Sequence, residues 1–123
     1  MRHHHVNLAY PPGGLDAEST FLIDTLGYAE LPPNAAIVDL GFTPHWFAGA
    51  DGSQIHLSED PEHAPAARAH IAIELTDAEL GAVRARLTAA GTEHRVSDAR
   101  PGIPAQIVLR DPAGNRWELR GPE

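Results

Sequence analysis

At 123 residues, of which 42% are hydrophobic, the chain has the size of one domain or of two small fused modules. A formal net charge of −8 argues against a nucleic-acid-binding surface, and the absence of cysteine excludes disulfides and thiolate metal sites. No apolar run is long enough to span a membrane and no signal peptide is visible, so we expect no nucleic-acid or membrane partner and a cytoplasmic location.

The first half of the chain has the pattern of a strand, a helix and further strands. Val6 and Leu8 alternate with polar residues as in a half-buried strand, and Gly27 is a natural stop for a helix. For residues 36–40 both a strand and a loop fit the pattern. The predicted elements are a strand over residues 4–10, a helix over 16–26 with Asp16 as its N-cap, and strands over 28–31, within 34–48 and over 54–58.

The second half repeats this order, and its helix is better marked. Thr76 and Glu79 form a capping box, in which Thr76 is the N-cap and Glu79 reaches back to its backbone. An apolar stripe at helical spacing follows until Gly91 ends the helix. The predicted strands are residues 69–75, 92–98 and 105–109, followed by a closing hairpin whose turn is Asp-Pro-Ala-Gly-Asn, residues 111–115.

The two halves align at a nearly constant offset, which indicates an internal repeat. His56 of the first half aligns with Glu118 of the second, and His5 aligns with His70. We therefore predict two copies of one βαβββ module. The predicted organisation is a first module over residues 1–60, a linker over 61–68 and a second module over 69–123, together forming one structural domain.

The four aligned residues have side chains that bind metals. In each strand the apolar alternates must face the helix, because a core can form only there. His5, His56, His70 and Glu118 have the opposite parity and should lie together on the other face of their sheets, where they converge if that face is concave. Imidazole and carboxylate ligands suit Zn, Fe, Ni and Mn. Each residue alone has a plainer interpretation, a hydrogen-bonded histidine or a carboxylate paired with a neighbouring arginine.

These segments resemble the vicinal oxygen chelate superfamily, which includes glyoxalase I, extradiol dioxygenases, fosfomycin-resistance transferases and bleomycin-resistance proteins. The resemblance covers nearly the whole chain, and the closing Asp-Pro-x-Gly-Asn-x-x-Glu pattern is its most specific part. The matching segments are His5-Val6-Asn7-Leu8, Leu26-Gly27-Tyr28, Gln54-Ile55-His56-Leu57, Ala69-His70-Ile71-Ala72 and residues 111–119.

The resemblance implies an α+β fold in which two βαβββ modules form a U-shaped, open barrel-like sheet with helices on the outside. It also implies a divalent metal, Zn, Ni, Fe or Mn, with the ligand positions occupied here by His5, His56, His70 and Glu118. Glyoxalase I usually has Glu where this chain has His56, and the dioxygenases and fosfomycin enzymes use only the equivalents of the other three. His56 is therefore a fourth ligand, a group that supports a ligand, or a substrate contact.

Some family features are missing, so no specific activity transfers. Ala9 stands where glyoxalase I commonly has the arginine that holds glutathione, and no phosphonate or potassium motif is recognisable. Four further residues are candidates for substrate binding. Trp46 and Phe47 either line a pocket for a flat ligand or pack in the core. Gln106 and Arg110 share one parity, so they either reach the cleft or lie on an exposed face.

Two functions fit these observations. In the first, the chain is a metal-dependent enzyme with isomerase, lyase or dioxygenase chemistry on a small oxygenated molecule, and the resemblance to glyoxalase implies that Glu118, or the ligand opposite it, acts as the base. In the second, it is a non-catalytic protein that binds an antibiotic or small aromatic compound, as bleomycin-resistance proteins do. A structural module with a vestigial site is a third alternative. Since open sheet edges favour pairing, we also expect a homodimer.

Overall fold

The computed structural model describes residues 1–123. The chain forms two compact units, Met1–His63 and Ala64–Glu123. The boundary between the units falls inside the predicted linker, residues 61–68. Each unit contains one open, four-stranded mixed sheet and at least one helix. The fold is therefore α+β, which confirms the predicted class.

The first unit contains four strands and two helices. These are β1 (His5–Tyr10), α1 (Leu15–Thr20, continued by a π-helical segment, Phe21–Thr25), β2 (Ala29–Glu30), α2 (Ala35–Asp39), β3 (His45–Ala48) and β4 (Gln54–Glu59). In the π-helical segment the Leu26 N–H donates to the Phe21 carbonyl, five residues back, at 3.2 Å. Gly27, at φ +81°, ends it in the left-handed conformation that suits glycine.

Two details of this unit differ from the sequence prediction. Helix α1 begins at Leu15, with Gly14 as its N-cap, so Asp16 lies inside the first turn. Residues 36–40, expected as a strand or a loop, belong mostly to the short helix α2. Its N-cap is Asn34, whose side-chain oxygen accepts a hydrogen bond from the Ile37 N–H at 3.2 Å.

The second unit follows the predicted order closely. Its elements are β5 (His70–Glu74), α3 (Asp77–Ala89), β6 (His94–Ser97), β7 (Gln106–Arg110) and β8 (Arg116–Arg120). The predicted capping box is confirmed: the Thr76 hydroxyl accepts from the Glu79 N–H at 3.2 Å, and the Glu79 carboxylate accepts from the Thr76 N–H at 2.8 Å. Neither α3 nor any other helix is long and apolar enough to cross a membrane.

The two sheets have the same topology, which confirms the internal repeat. Their strand orders are β1-β4-β3-β2 and β5-β8-β7-β6, with the first pair parallel and the other pairs antiparallel. The register is also the same. His56 lies beside Asn7 on β1 in the first sheet, and Glu118 lies beside Ala72 on β5 in the second.

One face of each sheet is buried. It is the face on which the apolar side chains of the central strands lie. Ile55 and Phe47 pair across the first sheet, and Leu109 and Trp117 pair across the second; all four are buried. Val6, expected in the core, is 40% exposed, because β1 is an edge strand. The candidate ligands lie on the opposite faces, and the buried faces anchor the strands that carry them.

Candidate metal centre

Three aromatic rings stack on the open face of the first sheet. The imidazoles of His5 and His56 are nearly parallel, with centroids 3.9 Å apart, and the indole of Trp46 covers the other face of His56 at 4.4 Å. Strand register explains the contact of Trp46 with His56, because the two residues are direct partners on the antiparallel strands β3 and β4. The stack holds the His56 ring between two planar neighbours.

Each of these imidazoles uses one nitrogen within the first unit. The Nε2 atom of His56 is 2.9 Å from the Gln54 side-chain oxygen, so Nε2 carries the proton and donates it. The Nδ1 atom of His5 is 2.8 Å from the Nδ1 atom of His4. His56 Nδ1 and His5 Nε2 make no hydrogen bond. In the neutral rings His56 Nδ1 carries a lone pair that could bind a metal, and His5 Nε2 carries one when His5 Nδ1 is the donor to His4.

The environment of His56 favours its neutral form. The side chain is buried, with 8% of its surface exposed. Burial, and to a lesser degree repulsion from His5 and His4, lowers the pKa of His56 from 6.5 to about 4. A neutral imidazole is the form that binds metals, so His56 needs no deprotonation step at neutral pH.

In the second unit the two other candidate ligands face each other. The Nε2 atom of His70 is 3.3 Å from Oε2 of Glu118. The other nitrogen, Nδ1, is 2.9 Å from the backbone carbonyl oxygen of Arg68 and therefore donates a proton to it. In the neutral ring Nε2 then carries a lone pair, which points at a carboxylate oxygen. Two acceptors at this distance need a proton or a cation between them.

The separation of these two atoms fits metal ligands. Two donor atoms that each lie about 2.1 Å from one ion, at tetrahedral or octahedral angles, are about 3.0–3.4 Å apart. A backbone carbonyl that holds the remote nitrogen of the imidazole is also the usual support of a metal-bound histidine. His70 and Glu118 therefore fit a divalent ion both in spacing and in chemistry.

The second carboxylate oxygen of Glu118 faces an arginine. Oε1 lies 3.4 Å from Nε of Arg120, whose Nη2 is 3.5 Å from the exposed Glu123 carboxylate. The contact with Nε is an ion pair without hydrogen-bond geometry. Arg120 therefore offsets part of the charge of Glu118 without occupying the oxygen that faces His70.

The predicted ligands thus form two pairs, one in each unit. His5 and His56 adjoin on the first sheet, and His70 and Glu118 adjoin on the second. Neither unit by itself brings three or more His, Asp or Glu side chains into an arrangement that could hold a metal ion. Each unit contributes half of the predicted ligand set.

The candidate substrate-binding residues lie in different surroundings. Trp46 belongs to the ring stack, whereas Phe47 is completely buried on the other face of β3, so for Phe47 the core alternative applies. Gln106 is half-buried on the same face as Glu118. Arg110 is on that face too, but its guanidinium donates to the carbonyls of Ala66, Ala67 and Gly114.

Residues 12–120 match the family described as "Glyoxalase-like domain". The chain belongs to this glyoxalase-like family. The membership confirms the resemblance to the vicinal oxygen chelate superfamily. No curated protein sequence matches the chain significantly.

Solved structures of other proteins share the glyoxalase-like fold. A glyoxalase family protein from Bacillus anthracis is 27% identical, with a TM-score of 0.79 and full coverage of both chains. A glyoxalase/dioxygenase from Nostoc punctiforme is 22% identical, with a TM-score of 0.76 over 99% of this chain and 92% of that one. A mutant of the fosfomycin resistance protein FosX from Listeria monocytogenes, complexed with Mn(II) and 1S,2S-dihydroxypropylphosphonic acid, is 22% identical, with a TM-score of 0.71 over 95% and 86% of the two chains.

Sequence reasoning missed the groups that orient the glyoxalase-like chain's histidines. Gln54 could have been found, because it precedes His56 by two residues and shares its face of β4. The predicted first strand included His4, but alternation puts neighbouring residues on opposite faces and so did not predict its contact with His5; in the structure β1 begins at His5. The Arg68 carbonyl is a backbone atom, so no side-chain pattern marks it.

Proposed function

We propose that this glyoxalase-like protein is a metal-dependent enzyme that acts on a small oxygenated molecule by isomerase, lyase or dioxygenase chemistry. One observation carries the proposal. Each candidate histidine has one ring nitrogen engaged by a neighbour within its unit and the other left for a metal, and the free nitrogen of His70 faces Glu118 at 3.3 Å. The Nδ1 contact alone does not mark a ligand, because His94 makes the same contact with the Thr92 carbonyl; the position of the other His70 nitrogen opposite Glu118 distinguishes His70.

The proposed ligands are His70 and Glu118 from the second unit and His5 from the first, with His56 as the fourth. The donor set of imidazole and carboxylate fits Zn, Ni, Fe or Mn. The Mn(II) bound by the FosX structure supports a divalent ion of this group. The modules that complete one site belong either to one chain or to two copies, and both arrangements give one site per chain.

A bound divalent ion would supply Lewis acidity to two adjacent oxygens of the substrate. The chain's own residues would then accept protons and keep the ligand side chains in orientation. Glu118 is the proposed base as well as a proposed ligand, so its Oε2 atom, which faces His70, would serve one role at a time, either holding the ion or accepting a proton, while Arg120 pairs with Oε1. The stack on His56 keeps the His5 ring in one orientation, and the Arg68 carbonyl does the same for His70.

The ring stack favours a second candidate function. A planar ligand can extend a column of parallel aromatic rings, and His5 and Trp46 form the two ends of the column. A protein that sequesters an antibiotic or small aromatic compound without changing it would use such a surface. This candidate needs no metal, so metal binding separates the two functions.

Glu118→Gln tests the proposed function directly. The substitution keeps the shape of the side chain but removes the charge that a divalent ion needs, so Mn(II) affinity should fall by more than the roughly 10- to 100-fold typical of residues that only support a ligand. Isothermal titration measures the affinity, and circular dichroism checks the fold. Glu123→Gln is the matched control, because it removes the other carboxylate beside Arg120 and should bind Mn(II) as the wild type does. Equal affinity in all three proteins would contradict the proposal.

We further propose that the protein is a cytoplasmic homodimer. Both sheets are open, with β1 and β2 at the edges of the first and β5 and β6 at the edges of the second. Unpaired strand edges favour association. Val38, Leu40 and Phe42 add exposed apolar surface around helix α2, which association could cover.

A further inference from the structure

Arg110, at the end of β7, fastens the chain segment that leads into β5. Its Nη1 atom donates to the carbonyl oxygens of Gly114 at 2.7 Å and Ala66 at 3.2 Å, and its Nη2 atom donates to that of Ala67 at 3.3 Å. One guanidinium therefore ties residues 66 and 67 to the turn between β7 and β8. All these residues belong to the second unit.

The turn between β7 and β8 is itself stabilised by side-chain hydrogen bonds. The buried Asp111 side chain accepts from the Asn115 N–H at 2.8 Å through Oδ1 and from the Trp117 indole N–H at 3.0 Å through Oδ2. Gly114, at φ +86°, lies so close to Pro65 that a Cβ atom there would be 2.7 Å from the proline ring. The turn and the segment over residues 65–67 thus touch at two independent points.

The next carbonyl along this segment orients His70. Ala67 precedes Arg68, whose carbonyl oxygen accepts the Nδ1 proton of His70 at 2.9 Å. With the proton on Nδ1, the Nε2 lone pair faces Glu118. The hydrogen bond at one ring nitrogen thereby determines which nitrogen is available to a metal.

We propose that Arg110 is a positioning residue for His70: by fixing the carbonyls of Ala66 and Ala67, immediately before Arg68, it keeps the proton of His70 on Nδ1 and the Nε2 atom directed at Glu118. The inference rests on the proposed function in so far as His70 is a metal ligand. It takes the place of the substrate contact, which was one of the two alternatives for Arg110, because three of the five guanidinium N–H groups are already used by backbone carbonyls. Arginine suits the role, since its rigid fork can reach several carbonyls at once.

The test compares Arg110→Gln with Arg116→Gln as a matched control. Arg116 is the direct strand partner of Arg110 on one side and of His70 on the other, so Arg116→Gln also controls for the loss of a positive charge beside His70; its side chain makes no hydrogen bond or ion pair. Both variants remove one positive charge from this face, but only Arg110→Gln releases residues 66 and 67. Arg110→Lys is the conservative variant, because one ammonium can keep some of the three bonds.

The first readout is the protonation of the His70 ring in metal-free protein, measured by 15N–1H correlation spectra at pH 8. The His70 signals are assigned by their loss in His70→Gln. We expect the proton on Nδ1 in the wild type and in Arg116→Gln, a shift toward Nε2 in Arg110→Gln, and a smaller shift of the same kind in Arg110→Lys. The lysine variant also carries the test if Arg110→Gln fails to fold. An unchanged His70 ring in both Arg110 variants, or an equal change in Arg116→Gln, would overturn the inference.

The second readout is Mn(II) affinity. Loss of a group that orients a ligand costs roughly 10- to 100-fold, so Arg110→Gln should bind Mn(II) more weakly by about that factor while Arg116→Gln matches the wild type. Normal affinity in Arg110→Gln would overturn the positioning role. If the wild type binds no Mn(II), the proposed function fails, and the ring spectra still decide whether Arg110 orients His70.

Discussion

The histidines of this chain differ in what holds their rings. His56 lies between two planar rings and donates to Gln54, whereas His70 is exposed and is oriented by one backbone carbonyl. Burial keeps the His56 ring neutral, because a charged imidazole would lose its hydration there. A residue of this kind couples the stability of the first unit to pH.

Stability of the metal-free protein should therefore depend on His56 protonation. The pKa is about 4 in the folded chain against 6.5 for the ordinary group, so the unfolded chain binds the proton first as pH falls. The contribution is fully present above pH 6.5 and is lost as pH falls to about 4. It amounts to about 1–3 kcal/mol. Urea unfolding between pH 7 and pH 4 measures it.

The variant His56→Phe isolates this contribution, since it keeps a planar ring in the stack and removes the titrating group. Its unfolding free energy should fall less steeply with pH than that of the wild type. His94→Phe, on β6 of the other unit, is the control for general effects of acid and should follow the wild type. Parallel pH profiles for wild type and His56→Phe would contradict this account.

At the scale of elements, local chemistry predicted some features well and others poorly. The Thr76–Glu79 box and the Asp-Pro-Ala-Gly-Asn turn were readable because their side chains act within a few residues of the backbone they hold. Helix α2 was missed because five residues give no helical period, and the adjacent Ile37 and Val38 favour a strand. Its signal was Asn34 alone, a good N-cap that also fits a turn.

Strand alternation also predicted which residues share a sheet face. It placed His5 with His56, and His70 with Glu118, on the faces opposite the core, and the strand registers agree. It could not predict which ring nitrogen is engaged, because that depends on atoms such as the Arg68 carbonyl, whose position follows from the fold. It also could not predict that the Arg110 guanidinium donates hydrogen bonds to backbone carbonyls.

At the scale of the whole molecule, the repeat was visible in the sequence because duplication preserves the spacing of turn and strand residues. The same duplication leaves two open sheets with four edge strands. We expect the protein to sediment as a dimer at micromolar concentration, because such edges favour pairing. A single monomeric species in sedimentation velocity at that concentration would contradict the dimer.

The metal centre that we propose holds a divalent ion through His5, His70 and Glu118, with His56 as the fourth ligand. Elemental analysis of protein purified without added metal tests it most directly. We expect close to one ion of Mn, Fe, Ni or Zn per chain, whether the modules of a site come from one chain or from two, and loss of that ion in His70→Ala. Protein that contains no metal, takes up none on addition, and instead binds flat aromatic compounds would contradict the claim and favour the sequestering function.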